Sequence, residues 1–217
     1  VKQVRVLLAD DHALIREGLR ALLERHPSVE VVGEAGNGRE AVKLAEEKRP
    51  DVVLMDIAMP DLNGLDATRQ IRRLVPTARV LVLTMYDDRD YIYELLRAGA
   101  SGYLLKGAAA ADLLAAIDVV AKGGMFLEPP VAGLVVEESL RGSRGTREPE
   151  PLPALTPRER EILQLVTEGC GNQAIGERLG ISPKTVEVHR AHISAKLDIH
   201  DVPGLVKYAI RKGIIKI

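Results

Sequence analysis

The chain has a single cysteine, Cys170, in 217 residues, so no internal disulfide can form, as suits a reducing compartment. It lacks any apolar run close to the ~18 residues that a membrane-spanning helix needs. Its first residues show no signal-peptide pattern, and a cytoplasmic location is the expectation. Net charge is almost absent as well, at −1. With so little net charge, its distribution matters more. Residues 1–130 carry −3, residues 131–154 carry −1 and residues 155–217 carry +3. The basic C-terminal part hints at nucleic acid. Hydrophobic residues make up 46% of the chain, which is a globular and not a disordered composition.

What is present in abundance is a repeated pattern of apolar runs that stop at a polar residue. Val4-Arg5-Val6-Leu7-Leu8-Ala9 stops at Asp10-Asp11, Val52-Val53-Leu54-Met55 at Asp56, Val80-Leu81-Val82-Leu83 at Thr84 and Tyr103-Leu104-Leu105 at Lys106. Strands are expected at about 3–9, 29–34, 51–55, 79–84 and 101–105, and helices near 13–26, 37–48, 63–74, 88–98 and 109–122. Such alternation predicts an α/β domain, a flavodoxin-like, doubly wound, five-stranded parallel sheet with helices on both faces. In an open parallel sheet, ligands bind at the carboxyl ends of the strands. Three acids, a hydroxyl and an ammonium on that rim suggest a divalent cation beside a phosphorylatable aspartate.

Residues 131–140 are expected to form a short extra helix, with Val131, Leu134 and Val135 on one face. Residues 141–154 are rich in breakers and read as a linker. Fully extended it spans ~46–50 Å, and as a flexible chain ~20 Å. From 155 onwards the pattern is helical: 157–168 with Thr156 as cap and Glu159 completing a capping box, 172–179 ending at Gly180, 183–198 capped by Ser182, and about 202–212. The two short helices joined by Leu179-Gly180-Ile181-Ser182 predict a helix-turn-helix unit. The expected division is therefore 1–122, a helix and linker at 123–154, and a small all-α domain at 155–217.

These residues resemble those of two-component response regulators of the NarL/FixJ type. The receiver signature stands as Asp10-Asp11, Asp56 followed by Met59-Pro60, Thr84 and Lys106; the LuxR-type signature stands as Leu155-Thr156-Pro157-Arg158-Glu159-Arg160-Glu161 and Ile181-Ser182-Pro183-Lys184-Thr185-Val186-Glu187-Val188-His189-Arg190. The resemblance implies phosphorylation of Asp56 by a sensor histidine kinase or a small phosphodonor. It implies Mg²⁺ held by Asp11, Asp56 and the Ala58 carbonyl, with Asp10 acting through water. Thr84 and Lys106 would receive the phosphoryl group, and Tyr103 would turn inward as Thr84 moves. Residues beside the site, Ala58 and Tyr86, would influence phosphoryl lifetime. On this view enzymatic activity is limited to self-phosphorylation from a donor and slow autodephosphorylation.

For helix 183–197, inserted in a DNA major groove, Lys184, Thr185 and Lys196 suit phosphates, Glu187 suits cytosine and Val188 thymine methyls. Ala191 and His192 share that outer face, whereas Val186, Ile193 and Leu197 face inward. His189 is expected to pack or bond internally. In the family, Val202, Leu205, Val206, Ala209 and Ile210 would form the strip used for homodimer pairing; core packing is the other reading of the same strip. Departures from the family pattern are Gly171 where Ser or Thr is usual, Gly176 in place of an alanine, at a cost of ~1 kcal/mol, and few cations near Glu187 and Ala191.

The function expected is transcription control by a phosphorylation-gated dimer, with the unphosphorylated receiver docked on, or hindering, the DNA-contacting helix. The alternative is a phosphorylation-independent DNA-binding protein whose receiver serves assembly only. Singly, each rim residue also has a structural reading: Asp10-Asp11 as a helix cap, Asp56 as a loop acid and Lys106 as a surface lysine. An Mg²⁺-dependent phosphohydrolase would need a second acid two residues after Asp56, where Ala58 stands.

Overall fold

The computed structural model describes residues 3–84, 89–129, 131–133 and 155–215. The expected linker at 141–154, Tyr86 and all but the first residues of the extra helix lie outside the described residues. The N-terminal domain runs β1 (Val4–Ala9), α1 (Ala13–Glu24), β2 (Val29–Ala35), α2 (Gly38–Lys48), β3 (Val52–Asp56), α3 (Gly64–Leu74), β4 (Arg79–Thr84), α4 (Arg89–Arg97), β5 (Gly102–Leu105), α5 (Ala110–Ala121) and β6 (Phe126–Leu127). All pairings are parallel and the strand order is β2-β1-β3-β4-β5-β6. The five expected strands are present, and β6 is an addition at the edge.

Two apolar clusters sandwich this sheet. One packs α2, α3 and α4 against one face, and the other packs α1 and α5 against the opposite face. The inner strands β3 and β4 are therefore buried on both sides, which is why they read as unbroken apolar runs. Val131 also sits in the first cluster. With β6, it carries the packed unit beyond residue 122, where a boundary had been expected. A two-residue strand behind Gly123-Gly124 has no periodicity to betray it.

Strand order reverses between β1 and β3, whose carboxyl ends carry Asp10 and Asp56. The loop after β3 is tightly built: the Gly64 N–H donates to the Ile57 carbonyl at 2.6 Å, and a Cβ at Gly64 would run into the Asp56 carbonyl. Asn63 caps α3 by accepting the Asp66 N–H at 2.9 Å.

The C-terminal domain comprises α6 (Pro157–Thr167), α7 (Asn172–Leu179), α8 (Pro183–Leu197) and α9 (Val202–Arg211) around its own apolar cluster. The capping box at Thr156 and Glu159 is formed, Ser182 caps α8, and Gly180 ends α7 at φ +65°. Gly171 provides no side-chain cap for α7, as its identity predicts. Gly176 has a reason beyond helix propensity. A Cβ there would approach the Ile181 carbonyl, in the helix-turn-helix turn, to 2.7 Å. Helix propensity alone would make Gly176→Ala stabilising by ~1 kcal/mol; the close approach makes it destabilising. A lower thermal midpoint for the C-terminal domain, followed by circular dichroism, is the expected outcome.

Candidate functional site

The sheet brings the expected rim residues together. Asp10 and Asp56 are almost wholly buried, at 2% and 4% exposure. Lys106 reaches both, its Nζ 2.6 Å from Asp10 Oδ2 and 2.9 Å from Asp56 Oδ2. The backbone sets that reach: the Lys106 N–H donates to the Thr84 carbonyl at 2.8 Å, which ties the ends of β4 and β5. The second oxygen of Asp56 accepts the Ile57 N–H at 2.7 Å. Thr84 and Tyr103 are buried on the neighbouring strand ends, and Ala58 is buried in the loop after Asp56.

Ligand atoms of Asp10, Asp11, His12 and Asp56 lie within 4.8 Å of one another. Three carboxylates beside one ammonium leave an excess of negative charge, which a divalent cation relieves. The oxygen donors fit a hard ion such as Mg²⁺. His12 is a member that sequence reasoning did not single out. Its Nδ1 lies 2.9 Å from Asp11 Oδ1 and its N–H donates to Asp10 Oδ1 at 2.8 Å. Capping does not account for the acid pair, because the N-cap of α1 is His12, without a side-chain cap bond.

In the C-terminal domain, Lys184, Thr185, Glu187, Val188, Ala191 and His192 are all exposed on α8, and Val186 and Ile193 face the core. Two expected roles need correction. Lys196 donates to Glu159 Oε2 at 2.6 Å and thus ties α8 to the capping box of α6, so its charge is engaged inside the domain and not offered to phosphates. In the α9 strip, Leu205 and Ala209 are core residues, Val202 is exposed, and Val206 and Ile210 are half-buried. Thr185 shares its hydroxyl with Ser182 at 2.8 Å, and Lys184 pairs with Glu187 at 3.3 Å. The Nδ1 of His189 is buried with no hydrogen-bond partner among the described residues, although an internal bond was one expectation.

A third correction concerns docking. The receiver meets α6 and the end of α7, not the outer face of α8. Arg160 Nε donates to Asp66 Oδ1 at 2.9 Å, Gln70 Nε2 to Glu161 Oε1 at 3.1 Å and Gln164 Nε2 to the Met59 carbonyl at 2.7 Å; Arg178 pairs with Asp61. Burial pushes the Tyr208 phenol up, and Glu94 of α4 adds to this. None of the three apolar clusters joins the two domains. These interdomain residues were not foreseen. The available signal was Gln164, a lone amide inside the apolar run Ile162, Leu163, Leu165, Val166.

Fold, rim and helix-turn-helix together define a signalling protein with an acidic receiver pocket and a DNA-binding domain. Residues 6–118 match the response regulator receiver domain, and residues 153–209 match the bacterial regulatory proteins of the luxR family. The chain is 45% identical to the transcriptional regulatory protein LiaR of Bacillus subtilis, covering 98% of this chain and 99% of that protein. It is 40% identical to DegU of Brevibacillus brevis, over 99% and 96% of the two chains. Among solved structures, RcsB of Salmonella enterica serovar Typhimurium, bound to promoter rprA in the presence of phosphomimetic BeF₃⁻, is 26% identical with a TM-score of 0.62 over 95% of this chain and 98% of that one. The chain belongs to the NarL/FixJ-type two-component response regulators, with a receiver and a LuxR-type DNA-binding domain. Regulators of this family are mainly non-enzymatic; the receiver implies a histidine kinase partner and the helix-turn-helix implies DNA. Among the described residues no helix is long and apolar enough to cross a membrane.

Burial pushes the Glu159 carboxyl up, but the Lys196 ammonium and the Thr156 N–H and hydroxyl outweigh it and hold it below its usual value. A depressed carboxyl contributes stability above its unfolded pKa and loses it as pH falls through the folded value. Lys196→Met is therefore expected to lower the thermal midpoint at pH 7, and the gap from wild type should close on acidification. A gap independent of pH would refute this role.

Proposed function

We propose that Asp56 is the phosphoacceptor and that its phosphorylation governs pairing of two chains on DNA to control transcription. The observation that carries this reading is the buried Asp10–Lys106–Asp56 bridge at the sheet rim. A carboxylate oxygen of Asp56 attacks the phosphorus of a phosphohistidine or acyl phosphate, a new P–O bond forms, and the donor's P–N or P–O bond breaks with the electron pair leaving on the donor. Asp10, Asp11, Asp56 and the Ala58 carbonyl would hold Mg²⁺, which supplies charge neutralisation on the transferred oxygens. Lys106 stabilises the same charge from the opposite side. Thr84 donates its hydroxyl to a phosphoryl oxygen, with Tyr103 buried on the adjacent strand. The burial of Asp56 keeps water from the acyl phosphate and so slows its hydrolysis.

On DNA, Lys184 serves phosphates while Glu187, Val188, Ala191 and His192 face base edges. Thr185 contributes through the helix N-terminus, where backbone N–H groups meet phosphate. Arg160, Arg178 and Lys196 are committed to carboxylates. One chain therefore offers few phosphate contacts, and two half-sites read by a dimer restore the affinity. Val202, Val206 and Ile210 of α9 form the pairing strip. Because α8 is exposed while the receiver is docked, phosphorylation acts on pairing and not by uncovering the helix. The same exposure favours the second reading, DNA binding without phosphorylation.

Incubation with acetyl phosphate and Mg²⁺ is expected to give one retarded band on a phosphate-affinity gel, absent without Mg²⁺ and absent in Asp56→Asn. If Asp56→Asn and phosphorylated wild type bind DNA equally, the second reading replaces the first. Lys184→Ala should weaken binding to all DNA sequences alike and reduce the salt slope by about 1, as measured by fluorescence anisotropy across a salt series.

A further inference from the structure

The most completely satisfied polar side chain between the domains is Gln164, fully buried on α6. A primary amide has two donor hydrogens and two acceptor lone pairs, and here all four are used. Nε2 donates to the Met59 carbonyl at 2.7 Å and to Glu168 Oε1 at 2.8 Å. Oε1 accepts the Asn63 N–H at 2.9 Å and Asn63 Nδ2 at 3.2 Å. Met59 and Asn63 bound the second half of the loop that follows Asp56, and Met59 is joined directly to Ala58. An amide from the DNA-binding domain thus grips the backbone of the phosphoacceptor loop at two points.

The remaining contacts surround this grip. Asp61, at φ +65° in the middle of the loop, pairs with Arg178 and donates its N–H to Glu168 Oε1 at 3.3 Å. Burial pushes the Glu168 carboxyl up, against the hydrogen bonds it accepts from Gln164 and Asp61. At the start of the loop, both oxygens of Asp56 are already engaged, one by the Ile57 N–H at 2.7 Å and the other by Lys106 at 2.9 Å. A phosphoryl group added to either oxygen changes the charge that those partners meet, and a cation drawing on the Ala58 carbonyl acts on the peptide next to Met59. Chemistry at one end of the loop and the amide at the other therefore act on one short, tightly packed segment.

We infer that Gln164 is a positioning residue of the phosphoacceptor site, contributed by the DNA-binding domain, and that its grip on Met59 and Asn63 opposes phosphorylation of Asp56. This rests on the reading of Asp56 as phosphoacceptor given above. Coupling between two equilibria is reciprocal: if docking holds the loop against the phosphorylated form, phosphorylation loosens docking to the same extent. The interdomain contact is then the route by which the state of Asp56 reaches α6, and through α6 the rest of the DNA-binding domain. Among the described residues the contact is polar, without a shared apolar cluster.

The test uses the full chain and beryllium fluoride, a phosphoryl mimic, titrated calorimetrically at saturating Mg²⁺. Gln164→Met keeps the buried volume and removes all four hydrogen bonds. Arg178→Ala removes an exposed ion pair, so it leaves the fold intact. Gln164→Met is expected to bind beryllium fluoride ~5-fold more tightly than wild type, and Arg178→Ala about 2-fold more tightly. Small-angle X-ray scattering should show a larger radius of gyration for Gln164→Met. Affinities equal to or weaker than that of wild type in both variants would overturn the inference while leaving the phosphoacceptor reading intact. Equal binding by wild type and Asp56→Asn would instead remove the phosphoacceptor reading, and the coupling with it.

Discussion

Two nearly buried carboxylates, Asp10 and Asp56, are fixed at adjacent strand ends of a sheet whose cores allow them no retreat, and one ammonium, Lys106, stands between them. Like charges held this close in a shielded place are costly unless countered, and much of the receiver follows from the means of countering them. The tie between Lys106 and Thr84 sets the height of the ammonium. The Ile57 N–H satisfies the other oxygen of Asp56, and the close fit of Gly64 against the Asp56 carbonyl leaves the following loop little room. One lysine cannot balance three acids. The site is therefore built to receive further positive charge, and chemistry on Asp56 changes a balance on which its neighbours depend.

The second domain solves a different problem, that of holding four short helices with a small core. Capping residues, Gly180 at the turn, Gly176 packed against it and the Lys196–Glu159 bridge hold α6, α7 and α8 together. Those bridges use cations that a DNA-binding surface would otherwise present. The domain gains a well-defined recognition helix and loses electrostatic reach, so the proposed pairing on DNA would be a direct outcome of how it folds.

Most of this was legible in the chain. Strand-end polar residues after apolar runs located Asp10, Asp11, Asp56, Thr84 and Lys106, because a parallel sheet converts sequence period into one rim. Cap residues located α6 and α8. What escaped has physical reasons. β6 is too short to carry a pattern. His12 joined the acid cluster through local bonds after β1, its N–H to Asp10 and its ring to Asp11, that no periodicity encodes. The roles of Lys196 and Leu205 depend on partners distant in sequence. The interdomain set is polar on both sides, so neither half reads as a buried surface, and only Gln164, an amide among aliphatics, broke the local pattern.

Among the described residues no apolar cluster spans the two domains, and each builds its core from its own residues. The sheet is closed by β6 and Val131 before any residue of α6 is needed. During synthesis the receiver can thus reach its native packing first, and at ~5–20 residues per second the 86 residues from 132 to 217 follow over ~4–17 seconds. The nascent receiver would carry its phosphoacceptor loop without Gln164 upon it, so the domain is born without the grip, which forms only once the helices around α6 have been made and packed.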